Sequence, residues 1–248
     1  MEKLVPAIIE EGRVLTGFPE SLIRAIHSMS LPFYPYGIRF GNSGMIGASP
    51  EPIVSIEGDS LSTIALAGTA SNNPHLTLHR DKEQREHQYV ADFIASRLRT
   101  LGRTRRSSVG QLDLGSMRHL ITSFETQLAS EPDIDQVLDT LHPTPAVGPW
   151  PRTTRTLQMA VSLRDMAGVP RAFGAPFGVA HDNEFHALLT IRNVIWKGNR
   201  IVLPAGCGII QCSDVDEEWE ELRFKRDSVK EFLGINSHQE LFPRALSA

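Results

Sequence analysis

The residues best placed to do chemistry lie between Pro204 and Gly234, PAGCGIIQCSDVDEEWEELRFKRDSVKEFLG. Residues 201–203 read as an apolar strand that enters a glycine-flanked turn, Ala205-Gly206-Cys207-Gly208. With no Cβ at the glycines, a ligand can approach the backbone amides there. Ser213 or Asp214 then reads as a helix N-cap, followed by acids in the first turn, where the helix dipole favours them. At about 100° per residue, Trp219, Leu222, Val229 and Leu233 form an apolar stripe, and Glu220, Arg223, Asp227 and Lys230 fall opposite it. Glu218, Glu221 and Lys225 form a charged ridge beside the stripe, a place charges avoid unless something there needs them. An i,i+4 Glu–Lys pair on a solvated helix is the plain alternative. The glycine turn feeding the helix points instead to a pocket for an anion and a metal.

Four more charged residues stand out by their context. Glu86 lies one helical turn before Val90 in a helix expected over about 79–101. The apolar stripe of that helix is Val90, Phe93, Ile94, Leu98 and Leu101, with Gly102 as its C′ residue. Glu51 ends the small-residue run Ile46-Gly47-Ala48-Ser49-Pro50-Glu51, at the lip of a strand. Arg192 is a lone cation on the apolar face of a strand expected over 187–196, and a buried guanidinium demands an anion. Lys3 is the one cation in a short apolar strand over 1–9, where an ordinary N-terminal lysine is the plain reading.

The elements that must position these residues read as hairpins more than βαβ units. Strands are expected over 32–40, 44–56, 61–66, 120–125 and 173–179, and one at 200–203 pairing with 187–196 across Lys197-Gly198-Asn199. Short helices are expected over 21–29, 133–141 and 153–166, with a loop over 72–77. The basic run at 97–106 reads as a solvated helix end entering a loop. His142 to Pro151 carries too many prolines for regular structure and reads as a packed irregular segment. No repeat or linker interrupts the chain, so one α+β domain over 1–248, rich in antiparallel sheet with covering helices, is expected.

Composition narrows the function. The 248 residues are 41% hydrophobic and 22% charged, which suits a globular protein with a real core. A net charge of −4 and a pI near 6.1 give no sign of a nucleic-acid or membrane-surface partner. Cys207 and Cys212, the two cysteines, fit neither a zinc motif nor a CxxC pair. The expectation is a soluble cytoplasmic protein without a signal peptide or membrane span. GxGxxG, P-loop, HExxH, GxSxG and EF-hand patterns are all missing.

Taken in order, IGASPE, LAGT, DKEQREH, SFE, LHPTPAVG, FGAPFG, TIR, AGCGII and EEWEELRFK resemble the chorismate-utilising enzymes, and LHPTPAVG is most similar to their isochorismate synthase branch. The resemblance covers nearly the whole chain and implies their antiparallel-sheet-rich fold, here lacking part of the usual N-terminal strands. An exposed sheet edge, or a partner chain or second copy covering it, is then expected. The resemblance implies Glu51 as general acid and Lys3 as the lysine that activates water. It implies Glu86 and Glu221 as Mg²⁺ ligands, with Glu218 as a supporting, water-mediated contact. Arg192 and the amides of Gly206, Cys207 and Gly208 match the site for the enolpyruvyl carboxylate, and Lys225 matches a pocket lysine. Gly68, Thr69, His142, Thr144 and Ala146 complete the substrate-binding set.

These residue types suit the reaction so implied. Chorismate carries two carboxylates, which Mg²⁺ and an arginine can neutralise and orient. Water adding at C2 while the C4 hydroxyl leaves needs a base and an acid across the ring. A lysine base favours water over ammonia, against an anthranilate synthase, and Ala146 argues against loss of pyruvate in the same site. Lys3 must lose its proton and Glu51 must keep one. A chorismate-binding relative or subunit without chemistry, and a salicylate-forming enzyme, remain as alternatives.

Overall fold

A computed structural model describes residues 1–13, 18–27, 32–71, 81–115, 117–235 and 241–243. The expected loop at 72–77, the start of the helix expected from 79, and Met29 lie outside the described residues. The chain begins with β1 (Lys3–Leu4), β2 (Ala7–Arg13), α1 (Phe18–His27), β3 (Tyr34–Phe40), β4 (Ser43–Ser49), β5 (Pro52–Glu57) and β6 (Ser60–Ser71). It continues through α2 (Asp81–Leu98), β7 (Gly102–Arg106), β8 (Gly110–Asp113), β9 (Met117–Leu128), α3 (Ile134–Leu141) and α4 (Thr154–Met166). The last part holds β10 (Pro176–His181), β11 (Glu184–Leu189), β12 (Asn193–Lys197), β13 (Arg200–Gly206), β14 (Ile209–Ile210), α5 (Val215–Leu233) and β15 (Leu241–Pro243).

Two antiparallel sheets carry the fold. A seven-stranded sheet runs β10-β11-β5-β6-β9-β7 with β8 also on β9, and a six-stranded sheet runs β15-β2-β13-β12-β4-β3. The period-2 pattern of β9 shows why such strands form: Thr122, Phe124, Thr126 and Leu128 are buried, and Ser123, Glu125 and Gln127 between them are exposed. Helix α2 lays Val90, Phe93, Ile94 and Leu98 on that sheet against Ile53, Leu61 and Phe124. Helix α5 lays Val229 and Leu233 on the six-stranded sheet with Leu22 of α1, Val194 and Ile201. Asp214 caps α5 by accepting from the Asp216 and Glu217 amides, and Gly234 ends it at φ 64°. Among the described residues no helix is long and apolar enough to cross a membrane.

The chain crosses from one sheet to the other at two adjacent places. The strand expected over 44–56 breaks at Pro50-Glu51, leaving β4 in the six-stranded sheet and β5 in the seven-stranded one. The strand expected over 187–196 breaks likewise between β11 and β12, at Thr190, Ile191 and Arg192. Backbone bonds tie the crossings together: the Leu189 amide donates to Glu51 O at 3.0 Å, and the Ala48 amide to Arg192 O at 3.2 Å. Sheets that meet at an angle make their corners this way. An uninterrupted hydrophobic run shows where a strand is buried but not where it changes sheet.

Other expectations shift in smaller ways. Strand 1–9 divides at Val5-Pro6 into β1 and β2, and the first helix begins before Ser21, at Phe18. The basic run expected as a loop forms β7 on β9, with Arg103 and Arg105 pointing outward. Gly102 is therefore no helix cap: a Cβ there would meet Gln127 O of β9 at 2.0 Å, so close strand contact is what requires glycine. The strand expected at 173–179 starts at Pro176, after a turn through Gly174 at φ 72°. Trp219, expected on the buried stripe of α5, is 53% exposed.

Candidate active site

The two crossings open onto a cavity of about 840 Å³, mouth included, whose wall includes Glu51, Gly68, Thr69, Glu86, Ala146 and Arg192, together with Gly206, Gly208 and Lys225. Glu51 leaves β4 at the first crossing with its amide bonded to Ser49 Oγ at 3.2 Å. Burial pushes its carboxyl up to about 8, despite the opposing pull of Lys3, Lys225 and Arg192.

Arg192 stands at the second crossing in the left-handed region, φ 55°, and is buried. Its Nη1 donates to Ser228 Oγ of α5 at 2.8 Å, and its Nη2 lies 3.4 Å from His119 Nε2. Burial lowers the guanidinium to about 10, with Glu221 and Glu51 opposing that fall. His119 Nδ1 in turn lies 3.3 Å from Thr69 Oγ1, and Thr69 Oγ1 donates to Glu221 Oε1 at 3.0 Å. Burial, reinforced by Arg192, drives His119 down to about 3, so it stays neutral. A neutral ring protonated at Nδ1 presents Nε2 as the acceptor that Arg192 requires. Sequence reasoning missed His119, which is buried out of step with the Thr122–Leu128 alternation, beside the register shift at Ala67/Thr69, so the period-2 pattern does not mark it.

Lys3 is fully buried, and β1 is tied down by pairing with β14 and by exchanging backbone bonds with Trp150. Its Nζ lies 3.0 Å from Glu86 Oε1. Gly208 makes room for both: a Cβ there would meet Glu86 Oε1 at 2.0 Å and Lys3 Cε at 2.8 Å. Gly68, at φ 75°, serves the same helix, since a Cβ there would meet Glu83 O at 2.7 Å.

Helices α2 and α5 bring their acids together around a cation from the chain itself. Lys82 Nζ lies 2.9 Å from Glu218, 3.4 Å from Glu86 and 3.9 Å from both Glu83 and Glu221. Burial works to lower Lys82, yet Glu86, Glu221 and Glu218 together raise it well above the usual lysine range. Burial works to raise Glu221, but the Lys225 and Lys82 ammoniums hold it below the usual carboxylate range. Lys225 lies 2.6 Å from Glu221 Oε1 and donates to Gly206 O at 2.8 Å. Lys82 and Glu83 were also missed. They sit four and three residues before Glu86 and so share its helical face, a signal open to sequence reading.

Among the described residues no three acidic, histidine or cysteine side chains stand as a closed metal site. The donor set nonetheless suits a hard divalent cation. Carboxylate oxygens from two helices surround one positive centre, at lysine distances rather than the roughly 2.1 Å of Mg²⁺. Glu86, Glu218 and Glu221 would hold the ion if the Lys82 ammonium withdrew.

His142, Thr144 and Cys207 fall outside the cavity wall, as do Lys3, Glu218 and Glu221. His142 caps the end of α3, and burial with Arg152 and Arg164 nearby lowers it to about 4. Thr144 is buried in its own turn, its Oγ1 accepting from the Ala146 amide at 3.2 Å. The Cys207 amide is not free for a ligand, because it donates to Pro6 O at 3.3 Å. Gly206 and Gly208 keep their places in the wall.

The arrangement invites comparison with proteins of known chemistry. The family of chorismate binding enzymes matches residues 18–234. The salicylate biosynthesis isochorismate synthase of Pseudomonas aeruginosa is 31% identical over 80% of this chain and 44% of its own length. Isochorismate synthase EntC of Escherichia coli is 28% identical over 82% of this chain and 54% of its own. The chain thus spans about half the length of the curated relatives it matches. MenF, the menaquinone-specific isochorismate synthase of Escherichia coli, superposes with a TM-score of 0.79 at 26% identity, over 94% of this chain and 56% of MenF. DhbC of Bacillus anthracis shares the fold, at a TM-score of 0.81 and 23% identity over 95% of this chain and 68% of its own. With 217 of its residues inside the family match, this chain belongs to the chorismate binding enzymes.

Proposed function

We propose that the chain is an isochorismate synthase, converting chorismate to isochorismate by adding water at C2 and releasing the C4 hydroxyl, with Mg²⁺ as cofactor. The observation that carries this reading is the convergence of Glu51, Arg192 and Glu86 on one cavity, with Glu218 and Glu221 gathered beside Glu86 around Lys82. The isochorismate synthase names of its relatives support it.

The residues divide the work by charge. Arg192, buried with His119 and Ser228 fixing its plane, binds one carboxylate of the substrate in an orientation set before binding. Glu86, Glu218 and Glu221 would hold Mg²⁺, which when bound neutralises the other carboxylate. Glu51, kept protonated by its burial at neutral pH, donates a proton to the departing hydroxyl. Lys3, in its neutral form, would take a proton from the attacking water. Apolar wall groups, Val5, Ala7, Leu66 and Ile191, exclude bulk water and strengthen each charge interaction. Gly68 and Thr69 line the floor, and Ala146 offers no hydroxyl there.

Purified protein supplied with chorismate and Mg²⁺ is expected to form isochorismate, read by chromatography, and to stop when EDTA is added. Absence of any product refutes the reading. The Lys3–Glu86 contact favours one alternative, a chorismate-binding relative without turnover, because an ammonium held by a carboxylate is a poor base. Calorimetry showing chorismate binding without product would establish it, and free pyruvate would mark a salicylate-forming enzyme. The remaining proposals are a cytoplasmic location and a partner chain or second copy pairing along β3. That edge exposes Tyr34, Ile38 and Phe40, and sedimentation against concentration tests the pairing.

A further inference from the structure

Arg192 pays a conformational penalty for its place, since non-glycine residues at positive φ are uncommon and persist only where their surroundings hold them. The surroundings here can be named. The Arg192 carbonyl accepts from the Ala48 amide, and the Asn193 side-chain amide donates to Thr190 O at 3.2 Å. Thr190 is anchored by the Gly174 amide donating to its carbonyl at 2.8 Å, and Ile191 by its amide donating to Leu189 O at 2.9 Å. A side chain distant in sequence also grips the backbone of this turn: the Tyr36 hydroxyl donates to Ile191 O at 2.9 Å.

Register explains how Tyr36 reaches so far. Tyr36 pairs with Gly47 on β4, and Gly47 pairs with Asn193 at the start of β12. Gly47 carries no side chain to block the path, and a Cβ there would meet both Arg192 O and Asn193 Cβ at 2.6 Å. The phenol ring is buried and packs against Phe177, at 5.7 Å between ring centres, which holds its hydroxyl at the Ile191–Asn193 end of the turn, where the Asn193 side chain also neighbours it.

We propose that Tyr36 is a positioning residue for Arg192: its hydroxyl grips the Ile191 carbonyl and locks the left-handed turn that aims the guanidinium into the cavity. The carbonyl bond fixes the plane of the peptide that leads into Arg192. Tyr36 itself never touches the substrate, so it acts on ligand binding through the angle of the guanidinium alone. Its effect on substrate rests on the isochorismate synthase reading; its effect on the turn does not.

The test is Tyr36→Phe in the full chain, with Tyr34→Phe, an exposed position on the same strand, as control. Hydrogen exchange over 189–193 is expected to quicken in Tyr36→Phe and to stay unchanged in Tyr34→Phe. In the isomerase assay KM for chorismate is expected to rise about tenfold with kcat within about twofold, the pattern of a binding group knocked out of line. In an Arg192→Ala background, Tyr36→Phe is expected to leave KM where Arg192→Ala has put it. Unchanged exchange at 189–193, or an equal loss of KM and kcat terms with and without Arg192, overturns the proposal. Should wild-type protein neither bind nor turn over chorismate, the functional reading fails while the exchange result still decides the role of Tyr36.

Discussion

Glu51 and Lys82 are the two residues whose surroundings make the sharpest demands. Glu51 is held up at about 8 by burial, so it is protonated at neutral pH and ionises as pH rises through that value. As a general acid it is competent below this point; kcat is therefore expected to fall on the alkaline side with a midpoint near 8. Glu51→Gln, which cannot supply a proton, is expected to lower kcat by about 10²–10⁴-fold and to remove that alkaline limb. A pH profile unchanged in the variant would dismiss Glu51 as the acid. Lys82 raises a different question, because its ammonium stands where the glutamates would hold a cation. Lys82→Gln removes the internal competitor and leaves the carboxylates facing one another. Mg²⁺ affinity, measured by calorimetry on the protein without substrate, is expected to tighten by about tenfold, since like charges left together favour any cation that separates them. Weaker binding would show that Lys82 assembles the site instead of filling it.

Two glycines separate what holds the elements together from what shapes the site. Gly102 lies where β7 meets β9, and the atom a Cβ would strike is backbone, Gln127 O. Gly102→Ala is expected to cost about 1–3 kcal/mol in chemical denaturation and to spare metal binding, because β7 follows the C-terminal end of α2 while Glu86 sits in its N-terminal half. Gly208 lies where β13 gives way to β14, and the atoms a Cβ would strike belong to side chains, Glu86 and Lys3. Gly208→Ala is expected to weaken Mg²⁺ binding as Glu86 is displaced, and to cost stability too, because the fully buried Lys3 loses its carboxylate. Equal effects of both substitutions on Mg²⁺ binding would contradict this division. The same contrast shows what could be read from the sequence. Helical periodicity put Glu86 on the apolar stripe of its helix and Glu218 and Glu221 on a charged ridge beside one, with a solvated Glu–Lys pair as the plain alternative; the structure buries all three. Periodicity alone stops at the element: Lys82 and Glu83 share the face of Glu86 but were masked by a run of charges. The sheet changes at Glu51 and Arg192 arise from tertiary packing, and no local residue pattern marks them.

At the scale of the molecule, the cavity belongs to neither sheet. Glu51 and Arg192 sit at the two crossings, Gly206 and Gly208 at the end of the six-stranded sheet, Gly68 and Thr69 on the seven-stranded one, and Glu86 and Lys225 on a helix from each. A ligand filling that seam contacts both sheets and both cores at once, so its binding energy should appear as stability of the whole fold. At a ligand concentration of about 100 times Kd, linkage gives roughly 2.7 kcal/mol. For a chain of this length each kcal/mol moves Tm by about 2–4 °C. Chorismate with Mg²⁺ is therefore expected to raise Tm by about 5–10 °C in a single transition, with either one alone giving less. Arg192→Ala should lose most of the chorismate-dependent rise while retaining the rise due to Mg²⁺, because the arginine and the acids approach the cavity from different elements. A shift confined to one of two separate transitions would place the ligand within one sheet and dissolve the seam as the organising feature of the site.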